Sequence, residues 1–132
     1  MTEKEIKNAI KYWETTARRD YDTMLGLFKI ERYPESLFFG HVVLEKILKG
    51  LVVKETAEQS PYTHDLVKLA KLANIDFSKE EIVFLNEVNE FNIRARYPEQ
   101  KFEFYKKSTL KYTKENLNKI KSMYKNLCQK LK

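Results

Sequence analysis

Three ionisable side chains recur every four residues within an otherwise apolar stretch of the sequence. His41, Glu45 and Lys49 lie at positions i, i+4 and i+8, so a helix would stack them along one face. A carboxylate among apolar neighbours is costly to bury unless it is paired. Two interpretations are open: a structural Glu45–Lys49 ion pair beside a half-buried histidine, or the polar floor of a cleft.

Two other groups of residues have the chemistry to bind phosphate. Thr63-His64-Asp65-Leu66 starts a predicted short helix, where free backbone N–H groups favour an anion. Asp65 is, however, also an ordinary residue for a helix start. Arg94-Ala95-Arg96-Tyr97-Pro98 combines two guanidinium groups with an aromatic ring at a helix end. That combination suits phosphate or base contact, and it equally suits a salt-bridge network with neighbouring glutamates.

Several common catalytic and metal sites are missing from the sequence. The three glycines are isolated at positions 26, 40 and 50, which excludes a glycine-rich phosphate loop. Two histidines cannot form a three-histidine zinc site, and the single Cys128 excludes both a cysteine zinc site and an intrachain disulfide. No nucleophile, base and orienting residue form a recognisable triad. We therefore expect no metal and no cofactor, and we assign no catalytic residue.

Composition indicates a helical protein of one domain. The chain has 132 residues, with 42% hydrophobic and 33% charged residues, 3 Gly and 3 Pro. An all-β fold with many tight turns needs more glycine and proline. One domain spanning residues 1–132 is the usual organisation at this length.

The net charge of +6 comes from the C-terminal segment. Residues 101–132 hold ten Lys and two Glu, a net of +8, which leaves −2 for residues 1–100. This segment is either a solvated lysine-rich helix face or a surface that meets RNA or an acidic partner. No window approaches the roughly 20 apolar residues of a membrane span, and the polar N-terminus is unlike a signal peptide. We expect a cytoplasmic protein without membrane contact.

Apolar periodicity and capping patterns predict four to five helices in an up-and-down all-α bundle. The expected segments are Glu3 to Glu31, Pro34 to Thr56, Thr63 or His64 to Ala73, Ser78 to Arg96, and a last helix from about Thr113. Residues 99–112 fit no clear element. The second segment is apolar nearly all round, which predicts a central helix. A second subunit could cover one of its faces.

Three strings in this order resemble the HEPN family of small helical domains, named for higher eukaryotic and prokaryotic nucleotide binding. The first runs from Tyr33 to Leu51, with an aromatic pair followed by Glu45-Lys46-Ile47-Leu48-Lys49. The second is Thr63-His64-Asp65-Leu66, and the third is Ala95-Arg96-Tyr97-Pro98. Together they extend the resemblance over about residues 5 to 130.

The resemblance implies a helical bundle that commonly forms homodimers and works beside a separate minimal nucleotidyltransferase. In such a pair the HEPN subunit would bind a nucleotide or another substrate, or act as a toxin. For this sequence, the resemblance implies that Arg96, His64 and Arg94 contact phosphate. Lys49 would add positive charge, and Tyr97 would stack on a base. The supporting polar residues are His41, Glu45, Lys46 and Asp65. We expect His64, Lys49 and Arg96 to line one crevice.

Two alternatives come from other classes of protein. Some family members are metal-independent ribonucleases, with an arginine followed after about four to six residues by a histidine that serves as the base. Neither His41 nor His64 follows an arginine at that spacing, so we favour a subunit that is not an enzyme. The other alternative is a structural dimerisation module, in which the polar residues of the second helix only fix its register.

Overall fold

The computed structural model describes residues 1–132, which form six α-helices and no strands. The helices are α1 (Glu3–Lys29), α2 (Tyr33–Thr56), α3 (Leu66–Leu72), α4 (Lys79–Arg96), α5 (Pro98–Lys107) and α6 (Leu110–Leu131). The predicted all-α helical bundle is confirmed, with six helices where four to five were expected.

Helix α2 is the central element, as its apolar composition predicts. Every Leu, Ile and Val of α2 is buried except the half-buried Val42, because α1, α3, α4 and α6 all pack against it. All the helices that cover α2 belong to the same chain. The apolar character of α2 therefore gives no argument for a second subunit. No helix, α2 included, is both long enough and apolar enough to span a membrane.

The starts of the helices follow their capping residues. Thr2 with Glu5, and Ser78 with Glu81, form the two predicted capping boxes at α1 and α4. Helix α3 starts at Leu66, later than predicted, because Asp65 is its N-cap. The Asp65 carboxylate accepts hydrogen bonds from the first free backbone N–H groups of the helix, which holds Thr63 and His64 outside it.

The segment that the sequence left unassigned contains α5 and the first turn of α6. Pro98 ends α4, as predicted, and also starts α5, because proline is well tolerated in the first turn of a helix. Phe104 is the only buried residue of α5, and its ring lies 5.7 Å from that of Phe91. Thr109 caps α6, which therefore begins at Leu110, three residues before the predicted start. A helix with one buried residue has no apolar stripe to reveal it.

Candidate functional site

Glu45 is the centre of a polar cluster formed with His41, Lys49 and His64, here called the Glu45 cluster. One carboxylate oxygen, Oε2, lies 3.1 Å from Lys49 Nζ. The other, Oε1, lies 2.8 Å from His64 Nδ1. The Glu45 side chain is only 12% exposed, so these two partners replace most of the water that the carboxylate loses on folding.

His41 joins α2 to the backbone of the loop before α3. It is 1% exposed, and its Nε2 lies 2.8 Å from the carbonyl oxygen of His64. A carbonyl only accepts, so Nε2 donates and Nδ1 is the unprotonated nitrogen of the neutral ring. Nδ1 faces Glu45 Oε1 at 3.9 Å without a hydrogen bond. Burial lowers the pKa of His41, which keeps the ring neutral.

The His64 imidazole is exposed and held in one orientation. Its side chain is 57% exposed, and Nδ1 donates to Glu45, so Nε2 of the neutral ring is free to accept a proton. Asp65 and Leu66, which follow His64, are held in place by Asn89 of α4. The Asn89 side chain donates a hydrogen bond to the Asp65 carboxylate and accepts one from the Leu66 N–H. A carboxylate that orients a histidine is one arrangement in which a histidine serves as a general base.

Arg96 lies in a different place, in a groove between α2, α4 and α5. Its guanidinium carbon is 5.9 Å from the centre of the Phe38 ring. The groove has a volume of about 210 Å³ and is called here the Arg96 groove. Its lining comprises Pro34, Glu35, Phe38, Phe39, Ala95, Arg96, Lys101, Phe104 and Tyr105. Neither Arg96 nor Lys101 forms a salt bridge, so both cations are available to an anion.

Three other residues predicted for the site belong to neither the Glu45 cluster nor the Arg96 groove. Arg94 Nε is 3.8 Å from Glu90 and lines a separate depression with Gln100, Glu103 and Lys107. Tyr97 is half exposed and is the residue between α4 and α5, outside the lining of the Arg96 groove. Lys46 pairs with Asp20 of α1 at 2.6 Å, not with Glu45.

The structure thus brings together part of the predicted crevice. His64 and Lys49 meet at Glu45, as expected, with His41 beside them. The groove that contains Arg96 includes none of these residues. No group of three or more His, Cys, Asp or Glu side chains is arranged to hold a metal ion.

Several residues of these two places were not predicted from the sequence. Lys101 and Tyr105 belong to the segment that could not be assigned, although its alternation of lysines and aromatic residues is a usable signal for a nucleotide-binding surface. No sequence pattern pointed to Asn89, because its role depends on contacts with the loop before α3 that only the folded chain forms.

Comparison with known proteins identifies the family. The chain matches the family model described as HEPN domain over residues 10–131. No curated protein and no solved structure gives a significant match. The family match covers nearly the whole bundle, from the second turn of α1 to the end of α6, and includes the Glu45 cluster and the Arg96 groove. The chain therefore belongs to the HEPN domain family.

Proposed function

We propose that this chain is a non-catalytic HEPN subunit that binds a nucleotide or another phosphate-bearing substrate in the Arg96 groove. It would act as a single-domain homodimer beside a separate minimal nucleotidyltransferase, in a pair of the toxin–antitoxin kind. Membership of the HEPN family supports a nucleotide-binding or ribonuclease-type role. The choice of the Arg96 groove depends on the arrangement of its own side chains.

The observation that carries the proposal is the pair of unpaired cations beside aromatic rings. Arg96 lies over Phe38, and Lys101 lines the same groove. A guanidinium that has no carboxylate partner can bind a phosphate through two parallel hydrogen bonds. The cation–π contact contributes about 0.5–1 kcal/mol at an exposed site, which helps to hold the guanidinium in the groove before a ligand arrives.

The remaining groups of the groove suit the base of a nucleotide. Tyr105 is exposed and Phe39 half-buried, and such rings stack on bases of any sequence. Glu35 adds a hydrogen-bond acceptor for an exocyclic amino group. In this proposal Tyr105 takes the stacking role that the sequence suggested for Tyr97. His64 and Lys49 stay with Glu45 and do not contact the phosphate.

Calorimetry with ATP tests this proposal. Removing Arg96 in Arg96→Ala should weaken binding about 10- to 100-fold, the equivalent of one charge-assisted hydrogen-bond pair. Arg94→Ala is the matched control, because it removes the same side chain two positions away where it pairs with Glu90. It should leave the affinity unchanged. Equal losses in both variants, or no ATP binding with and without the partner nucleotidyltransferase, would contradict the proposal.

A ribonuclease is the second candidate, and the His64–Glu45 hydrogen bond is the observation that favours it. Cleavage of RNA without a metal needs a base for the 2′-hydroxyl and a positive charge for the phosphate. The exposed Nε2 of His64 supplies the first. The cation of the same cluster is Lys49, whose Nζ is already paired with Glu45. This candidate ranks second because the cluster holds no unpaired cation.

Incubation with total RNA in EDTA distinguishes the two candidates. A catalytic His64 predicts cleavage that disappears in His64→Ala and falls in Glu45→Gln, which keeps the size of the side chain but removes its charge. Lys46→Ala is the control, since Lys46 pairs with Asp20 outside the cluster. Wild-type cleavage that requires His64 would establish the ribonuclease and overturn the non-catalytic proposal.

A further inference from the structure

Helix α5 is attached to the rest of the bundle by one buried side chain. Eight of its ten residues are exposed, Gln100 is half-buried, and only Phe104 is buried. The Phe104 ring lies 5.7 Å from the Phe91 ring of α4. Helix α3 is shorter, at seven residues, yet three of its residues are buried. So few buried apolar contacts are typical of a segment that opens locally while the rest of a protein stays folded.

Polar contacts add little to the attachment of α5. Its only ion pair, between Lys106 and Glu103, lies within the helix itself. No side chain of α5 forms a hydrogen bond with another helix. Lys107 Nζ lies 5.2 Å from the centre of the Tyr112 ring of α6, a contact that is weak at an exposed position. The closed position of α5 therefore depends mainly on Phe104.

The helices on either side of α5 have their own ends. Tyr97, with an extended backbone, separates α4 from α5. The Thr109 hydroxyl accepts a hydrogen bond from the Tyr112 N–H and so caps α6. Detachment of α5 thus leaves α4 and α6 with complete ends. A helix of ten residues is marginal on its own in water, so α5 loses its hydrogen bonds when it detaches.

Helix α5 also forms one wall of the Arg96 groove. Lys101, Phe104 and Tyr105 of α5 line the groove, and its other lining residues belong to α2 and α4. We propose that α5 is the lid of this groove. It detaches as one unit, admits a phosphate-bearing ligand, and closes over the ligand when Phe104 returns to Phe91. The role of the lid rests on the proposed function, whereas the movement of α5 does not.

Hydrogen exchange of the backbone amides tests the movement without a ligand. The amides of α5 should share one opening equilibrium and exchange at least about 100-fold faster than the buried amides of α2. Urea well below the unfolding midpoint should leave α5 exchange almost unchanged, because a local opening exposes little surface. The proposal is overturned if α5 exchanges as slowly as α2, or if the rates only decrease gradually from the ends of α5 inwards.

Two substitutions of the same kind locate the anchor of the lid. Phe104→Leu removes part of the buried ring but keeps an apolar side chain, and it should speed α5 exchange about tenfold. Phe102→Leu makes the same change in helix propensity two positions away, where the side chain is 68% exposed. It should leave α5 exchange unchanged. Equal effects of the two variants would contradict an anchor at Phe104.

ATP connects the movement of α5 to the groove. If ATP binds only when α5 is closed, ATP at about 100 times its Kd should slow α5 exchange about 100-fold. Unchanged α5 exchange at a concentration where calorimetry shows ATP to be bound would overturn the lid and leave the proposed function standing. Fast exchange of α5 in a protein that binds no ATP would confirm the movement and contradict the proposed function.

Discussion

Glu45 forms an ion pair with Lys49 on its own helix and accepts a hydrogen bond from His64 in the loop before α3. A buried carboxylate and a buried ammonium attract each other strongly, but each also loses water on folding. Removing both charges can therefore cost little, whereas removing one leaves the other buried and unpaired. This asymmetry predicts which variants of the cluster remain folded.

Glu45→Ala should lower the free energy of unfolding by about 2–3 kcal/mol, because it leaves Lys49 without its partner. Glu90→Ala is the matched control: it breaks the half-exposed pair with Arg94 and should cost less than about 1 kcal/mol. Urea denaturation of both variants measures the difference. Equal effects would show that the Glu45 cluster contributes no more than a surface ion pair.

His41 should make stability depend on pH. Burial lowers its pKa below the ordinary value of 6.5, so the unfolded chain takes up more protons than the folded one between the two values. The free energy of unfolding should therefore fall as the pH drops from 6.5 towards the lowered pKa of folded His41. The ionisable residues that face the His41 ring are Glu45 and His64.

Comparison with His41→Gln isolates this contribution, because glutamine keeps a donor for the His64 carbonyl and does not titrate. Urea denaturation from about pH 7 to about pH 5 should show a steeper loss of stability in the wild type than in the variant. Parallel pH profiles would mean that folded His41 takes up a proton as readily as the unfolded chain does.

Among the elements, α2 and α6 approach each other closely where α2 has a glycine. A Cβ atom added at Gly40 would lie 2.6 Å from Ile120 Cδ1, and Ile120 is completely buried. At Gly26, on the exposed side of α1, a Cβ would meet nothing within 4 Å. Substitutions at these two glycines therefore separate the effect of helix propensity on stability from the effect of packing.

Gly26→Ala should raise the free energy of unfolding by about 0.5–1 kcal/mol, since alanine favours a helix over glycine. Gly40→Ala should instead lower it by up to about 2 kcal/mol, because the cost of overpacking against Ile120 exceeds the same propensity gain. Thermal or urea unfolding of both variants provides the measurement. The close approach of α2 and α6 would be contradicted if Gly40→Ala stabilised the protein as much as Gly26→Ala.

The elements were predictable where the sequence carries a periodic stripe or a cap. Helices α1, α2 and α4 have both long apolar patterns and recognisable ends, and their observed bounds lie within two residues of the predicted ones. Helix α5 has only Phe104 in the core, and no periodicity can be seen in one residue. The start of α6 depended on recognising Thr109 as its cap.

At the scale of the whole molecule, the site was only partly predictable because its contacts join distant parts of the chain. The Glu45–Lys49 pair follows from a spacing of four residues. The His64–Glu45 bond spans 19 residues and depends on the loop that His41 and Asn89 hold. The separation of Arg96 from His64 depends on how α4 crosses α2, and helical periodicity contains no information about that crossing.

The fold also distributes charge unevenly over the molecule. On α6 the buried side faces α2, and exposed lysines line the opposite side at positions 111, 114, 119, 125 and 130. The two cations of the Arg96 groove come instead from α4 and α5. A phosphate bound in the groove, as proposed, would therefore be held by groups other than the α6 lysines, whose contribution is a diffuse positive field.

The central claim is that a nucleoside phosphate binds in the Arg96 groove, and amide chemical-shift mapping of the labelled protein with ATP tests it most directly. We predict saturable shifts concentrated at residues 34–39 and 95–105, reduced in Arg96→Ala and retained in Arg94→Ala. Shifts concentrated instead around His41, Glu45, Lys49 and His64, or no saturable shifts at all, would contradict the account.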